Sequence, residues 1–69
     1  MFITTRNNTI EVHDDTGVVR SVKTIPSNYK IMGAQLVGDT IVVSTNAKTL
    51  VYKKDTNPSS YAFYLYRQY

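Results

Sequence analysis

The 69-residue chain contains no cysteine and no tryptophan, with only one histidine, two prolines and three glycines. Without cysteine it can form no disulfide, thiolate metal site or thiol nucleophile. A lone His13 cannot build a histidine-rich metal site, so no metal and no cofactor are expected. No apolar run approaches the ~20 residues of a membrane-spanning helix. The opening Met1-Phe2-Ile3-Thr4-Thr5 lacks the basic segment and long apolar stretch of a signal peptide. These absences predict a soluble chain with no membrane partner, either cytoplasmic or virion-associated. A net charge of +3 permits contact with nucleic acid without demanding it.

At 42% hydrophobic and 19% charged, the composition is that of a globular domain and not of a disordered one. Residues 1–69 form at most one domain, and a chain this short buries only about 60% of the surface exposed by its unfolded form. Small domains usually add a disulfide, a metal or a partner subunit. With the first two excluded, self-association or a host assembly is the expected supplement.

Leu and Ala are scarce and Val, Ile, Thr and Tyr abundant, a strand-forming composition. Turn residues recur at short intervals, at Arg6-Asn7-Asn8, Asp14-Asp15-Thr16-Gly17, Pro26-Ser27-Asn28, Gly38-Asp39, Asn46-Ala47-Lys48 and Asp55 through Ser60. Between them lie seven candidate strands: 1–5, 9–13, 18–25, 30–37, 40–45, 49–54 and 61–67. Alternation places Ile10 with Val12, Met32 with Ala34 and Leu36, and Ile41 with Val43 on shared faces. No segment has helical periodicity with caps, so the fold class is all-β, about seven short antiparallel strands in hairpins with no significant helix.

Residues 2–17 and 42–57 echo one another at a constant offset of 40. Thr5/Thr45, Thr9/Thr49, Asp15/Asp55 and Thr16/Thr56 are identical, and Ile3/Val43, Thr4/Ser44 and Ile10/Leu50 are conservative. Thr-rich hairpins alone also generate such matches. A period near 40 with about four strands per unit resembles a β-propeller blade. Gly38-Asp39 followed by Thr40 to Thr45 and Thr49 to Tyr52 is similar to the middle hairpin of such a blade, and Asp55-Thr56-Asn57 to the turn after it. The resemblance implies one complete blade at 30–67 and the last three strands of a preceding one at 1–25. The Trp-Asp and Gly-His signatures of the best-known propeller family are missing. Closure would then require several copies or a partner; otherwise the strands make a small sandwich or barrel.

The C-terminal segment alternates Tyr61, Phe63 and Leu65 with Ala62, Tyr64 and Tyr66, making both faces apolar or aromatic. Such a strand must be covered on both sides, as core or as interface. Tyr61, Phe63, Tyr64, Leu65, Tyr66 and Tyr69 are therefore the candidate interface.

Catalytic chemistry finds little footing. Asp15-Thr16-Gly17 spells the aspartic-protease triplet, but it follows His13-Asp14 where that family has an apolar strand, and it suits a hairpin turn. His13 beside two carboxylates has no nucleophile placed by any motif. Asp14-Asp15 lacks the ligand spacing of a calcium loop, and no helix follows Gly33 or Gly38 to cradle a phosphate.

The sequence thus points to a non-enzymatic β-structural or interaction protein. It is expected to act as a homo-oligomer or an accessory subunit of a larger assembly. In composition it resembles small Thr/Asn/Tyr-rich accessory proteins of phage particles. The alternative is a small nucleic-acid-binding barrel, with Lys53, Lys54 and Arg67 for the backbone and Tyr52 among the stacking rings.

Overall fold

The computed structural model describes all 69 residues as seven strands and no helix. They are β1 (Phe2–Arg6), β2 (Thr9–His13), β3 (Val19–Thr24), β4 (Ile31–Val37), β5 (Thr40–Thr45), β6 (Thr49–Lys54) and β7 (Phe63–Gln68). Every pairing is antiparallel between sequence neighbours, giving a three-stranded sheet β1-β2-β3 and a four-stranded sheet β4-β5-β6-β7. Each sheet has two free edges, so the small-barrel expectation is corrected: the strands do not close on themselves.

Turn chemistry produces this order. Asn7-Asn8 and Gly38-Asp39 are two-residue turns whose first residue has positive φ (52° and 59°), as tight hairpin turns require. The β2–β3 turn is organised by Asp14. Its carboxylate accepts hydrogen bonds from the Thr16 hydroxyl (2.6 Å), the Thr16 amide (2.9 Å) and the Val18 amide (3.1 Å), and it pairs with Arg20 (3.3 Å). Gly17 supplies the positive φ that lets the chain return.

Alternation then sorts the side chains. Ile10 and Val12 from β2 meet Ile41 and Val43 from β5 and Leu50 and Tyr52 from β6, with Ile25 and Phe63 completing an eight-residue core. The two sheets pack face to face through these residues. Ser21 joins them at one margin, its hydroxyl donating to the Tyr61 carbonyl (2.5 Å), while Arg20 lies over the Tyr61 ring (4.8 Å).

Three bulges reset the alternation. Arg20, Met32 and Tyr66 are each the extra residue where the register slips. Met32 consequently leaves the face of Ala34 and Leu36 and is 67% exposed, which corrects the expected trio.

The 40-residue echo maps onto only part of the fold. In β2 and β6 the offset holds, with Ile10/Leu50 and Val12/Tyr52 both facing the core. Their partners, however, are Thr5 and Ile3 in one hairpin and Val43 and Ile41 in the other, an offset of 38. Two residues separate the last paired positions of the first hairpin (Arg6 and Thr9) and four those of the second (Ser44 and Thr49). Thr5 therefore lies opposite Ile10, while Thr45, at the end of β5, has no partner in β6 and its hydroxyl donates to the Lys48 carbonyl. Nor is Asp15 the counterpart of Asp55. The carboxylate of Asp55 accepts from the amide two residues on, the role that Asp14 plays in its own turn.

These turn contacts predict an acid dependence. The Thr16 hydroxyl, helped by the two backbone amides and Arg20, stabilises the charged form of Asp14 and lowers its pKa to about 2. Because the folded value lies below the unfolded one, this stabilisation is complete above pH ~4 and is lost as pH falls toward 2. Asp14→Asn is expected to flatten the decline in chemical stability across that window. An unaltered pH profile in the variant would contradict this role.

Candidate functional site

The outward face of the four-stranded sheet carries the candidate site. On β6 the inward Leu50 and Tyr52 alternate with outward Thr49, Val51 and Lys53. Across from them on β7, Tyr64 lies opposite Lys53 and Arg67 opposite Val51. The bulge at Tyr66 keeps Tyr64, Tyr66 and Arg67 on this one side, a grouping that strict alternation forbids. Tyr69 extends the strand through paired backbone hydrogen bonds with Thr49.

The rings and cations contact one another. The Lys53 ammonium lies 4.2 Å from the centre of the Tyr66 ring, with Arg67 at 5.5 Å from it and 5.9 Å from that of Tyr69. Arg67 also donates to the Tyr69 hydroxyl (3.3 Å), and this bond raises the guanidinium pKa, holding it charged. Neither Lys53 nor Arg67 has a carboxylate within ion-pair distance. On this side Tyr64 and Tyr66 are about half exposed and Tyr69 is 69% exposed. The result is an uncovered aromatic and cationic surface on an edge strand, continued across the sheet by half-buried Val42 and Val51 and exposed Val37.

Of the six candidate interface residues, Tyr64, Tyr66 and Tyr69 share this surface, whereas Leu65, also half exposed, lies opposite Tyr52 and so on the inward side of the sheet. Phe63 is 6% exposed and belongs to the core, against which Tyr61 also packs. Of the candidate nucleic-acid residues, Lys53 and Arg67 share the surface. Tyr52 does not: it is 5% exposed, and burial pushes its phenol pKa up. Lys54 faces the other way and donates to the carbonyls of Asp55 (3.1 Å) and Asn57 (2.9 Å). Sequence reasoning missed Val51, whose outward position follows once Leu50 and Tyr52 are known to face inward.

The opposite outer face, on the three-stranded sheet, holds His13. Its ring stacks on Phe2 with centroids 4.7 Å apart. Its Nδ1 lies 3.2 Å from the Gly17 carbonyl and its Nε2 2.9 Å from the Thr4 hydroxyl, so an Nδ1–H tautomer satisfies both contacts. The Thr4 hydroxyl is 3.4 Å from Glu11. Hydroxyl, imidazole and carboxylate therefore adjoin on an open sheet face, where nothing excludes water from a reacting group. The one groove of the chain, about 140 Å³, lies elsewhere, between β3 and β7, lined by Val12, Ser21, Val22, Lys23, Ala62 and Phe63. No cluster of three or more acidic or histidine side chains is placed to hold a metal ion.

Comparison with protein-family models, curated proteins and solved structures finds no match to this chain.

Proposed function

We propose that this chain is a non-enzymatic β-structural or interaction module, working as an oligomer or as a small subunit of a larger assembly. The observation that carries this reading is the uncovered surface of Tyr64, Tyr66 and Tyr69 beside Lys53 and Arg67. Aromatic and arginine side chains of this kind dominate the binding energy of protein interfaces. The total accessible surface of 4457 Å² is ordinary for this mass, for which about 4,400 Å² is typical. The distinctive feature is therefore not loose packing but which residues are left outside.

The two meanders also support the finer reading of successive propeller-like blades, β4 to β7 as a four-stranded blade and β1 to β3 as the last three strands of its neighbour. Sequential antiparallel order and face-to-face packing fit it. Each outer face would then receive a further blade, supplied by another copy or a partner. The compositional likeness to phage-particle accessory proteins fits such a role.

A second reading, single-stranded nucleic-acid binding, draws on the unpaired Lys53 and Arg67 among tyrosines. It is weakened because these cations already cover the Tyr66 ring on which a base would stack. Size exclusion with light scattering at low and high salt separates the two. A salt-resistant multiple of 7.8 kDa is the result expected for assembly. A 7.8 kDa monomer that binds oligonucleotides with steep salt dependence would favour the second reading instead.

A further inference from the structure

The two outer faces of the molecule differ in charge. On the three-stranded sheet the register aligns Thr4, Glu11 and Val22 across its middle, with Phe2, His13 and Val19 beside them. Glu11 occupies the centre of the central strand and has no cation within ion-pair distance. The other nearby carboxylates are engaged, Asp14 by Arg20 and Asp15 by the amino group of Met1. Arg6 stands at the hairpin end of this face, away from its centre. Phe2, Val19 and Val22 give the face exposed apolar area around the carboxylate. The outer face of the four-stranded sheet has the reverse arrangement: Lys53 and Arg67, both without carboxylates, set among valines and tyrosines.

We propose that the tyrosine-bearing face is covered by a second copy of this chain, which presents the outer face of its three-stranded sheet with Glu11 toward Lys53 and Arg67. This rests on the self-association reading and specifies its geometry. Inside one chain the inner faces of the two sheets already pack on each other, so the contact between copies repeats that stacking. The contact is heterologous. Each copy offers one face of each kind, and repetition gives a ring if the rotation closes and a filament if it does not.

Charge reversal tests the pairing without touching the core. Glu11→Lys alone sets two cations against a third, and Lys53→Glu alone sets a second carboxylate against Glu11. Each variant should need at least about tenfold more protein to assemble, since opposed like charges are costly at an interface. An equimolar mixture of the two should recover assembly, because alternating copies then meet with opposite charges at every junction. Circular dichroism of each variant reports whether the strands are retained. Single variants that assemble like wild type, or folded variants whose mixture stays dissociated, would overturn the head-to-tail pairing while leaving self-association standing. A wild-type chain that is monomeric throughout would overturn both.

Discussion

Phe63→Ala is expected to remove about 3–5 kcal/mol of stability, the usual cost of truncating a buried phenylalanine. A chain of this length has roughly 3–10 kcal/mol in total. The variant should therefore lose roughly a third or more of that stability, with its urea transition moved to clearly lower denaturant. The reason is the size of the core: eight buried side chains hold two sheets together, and Phe63 is the only one contributed by β7. Leu65→Ala, on a half-exposed neighbour in the same strand, should cost roughly 1 kcal/mol or less. Equal urea midpoints for Phe63→Ala and wild type would contradict this placement of β7. The same placement means that deleting residues 61–69 would unfold the domain and report nothing about association.

Association is addressed instead by substituting only the exposed rings. Tyr64→Ser, Tyr66→Ser and Tyr69→Ser together should leave the fold intact, because these rings stand outside the core and surface changes usually cost within ~0.5 kcal/mol each. Their loss should nevertheless weaken assembly by at least about 100-fold, since buried tyrosine anchors commonly carry 2 kcal/mol or more. The cations would remain, but without rings to lie over and without the Tyr69 hydroxyl that Arg67 donates to. A triple variant that associates as tightly as wild type would place the interface elsewhere. One that loses strand structure would show that the tyrosines support the fold.

The strands were legible because their signals are local. Asn7-Asn8, Asp14 through Gly17 and Gly38-Asp39 announce turns by their backbone preferences, and the seven elements fall within two residues of the expected bounds. Alternation was reliable in β2, β5 and β6, which are the central strands of their sheets and alternate buried with half-buried residues over their first four positions. It failed on edge strands, where a bulge adds a residue without leaving a compositional mark. Met32 and Tyr66 are ordinary strand formers, and only the register shows that they are unpaired. The 40-residue echo coincides with structure only in β2 and β6 for a related reason. A gapless comparison cannot register the two extra residues between the last paired positions of the second hairpin, so Thr5 and Thr45 match in letter while differing in position.

Site residues were legible to the extent that their face depended on a central strand. Lys53 is outward because Tyr52 is inward. Grouping Tyr52 and Lys54 with Lys53 as one basic, aromatic surface overlooked that consecutive strand residues face opposite sides. Composition identified β7 as a strand needing cover on both faces, and the two covers turn out to differ. Phe63 packs in the core, whereas Tyr64, Tyr66 and Tyr69 stand outside it, the rings of the last two meeting the cations Lys53 and Arg67.

Sedimentation equilibrium of the wild-type chain across a concentration series, from low micromolar upward at physiological salt, tests the central claim most directly. The account predicts a weight-average mass that climbs from 7.8 kDa to a multiple of it. A mass fixed at 7.8 kDa over the whole series would contradict self-association and leave the tyrosine face to a different ligand.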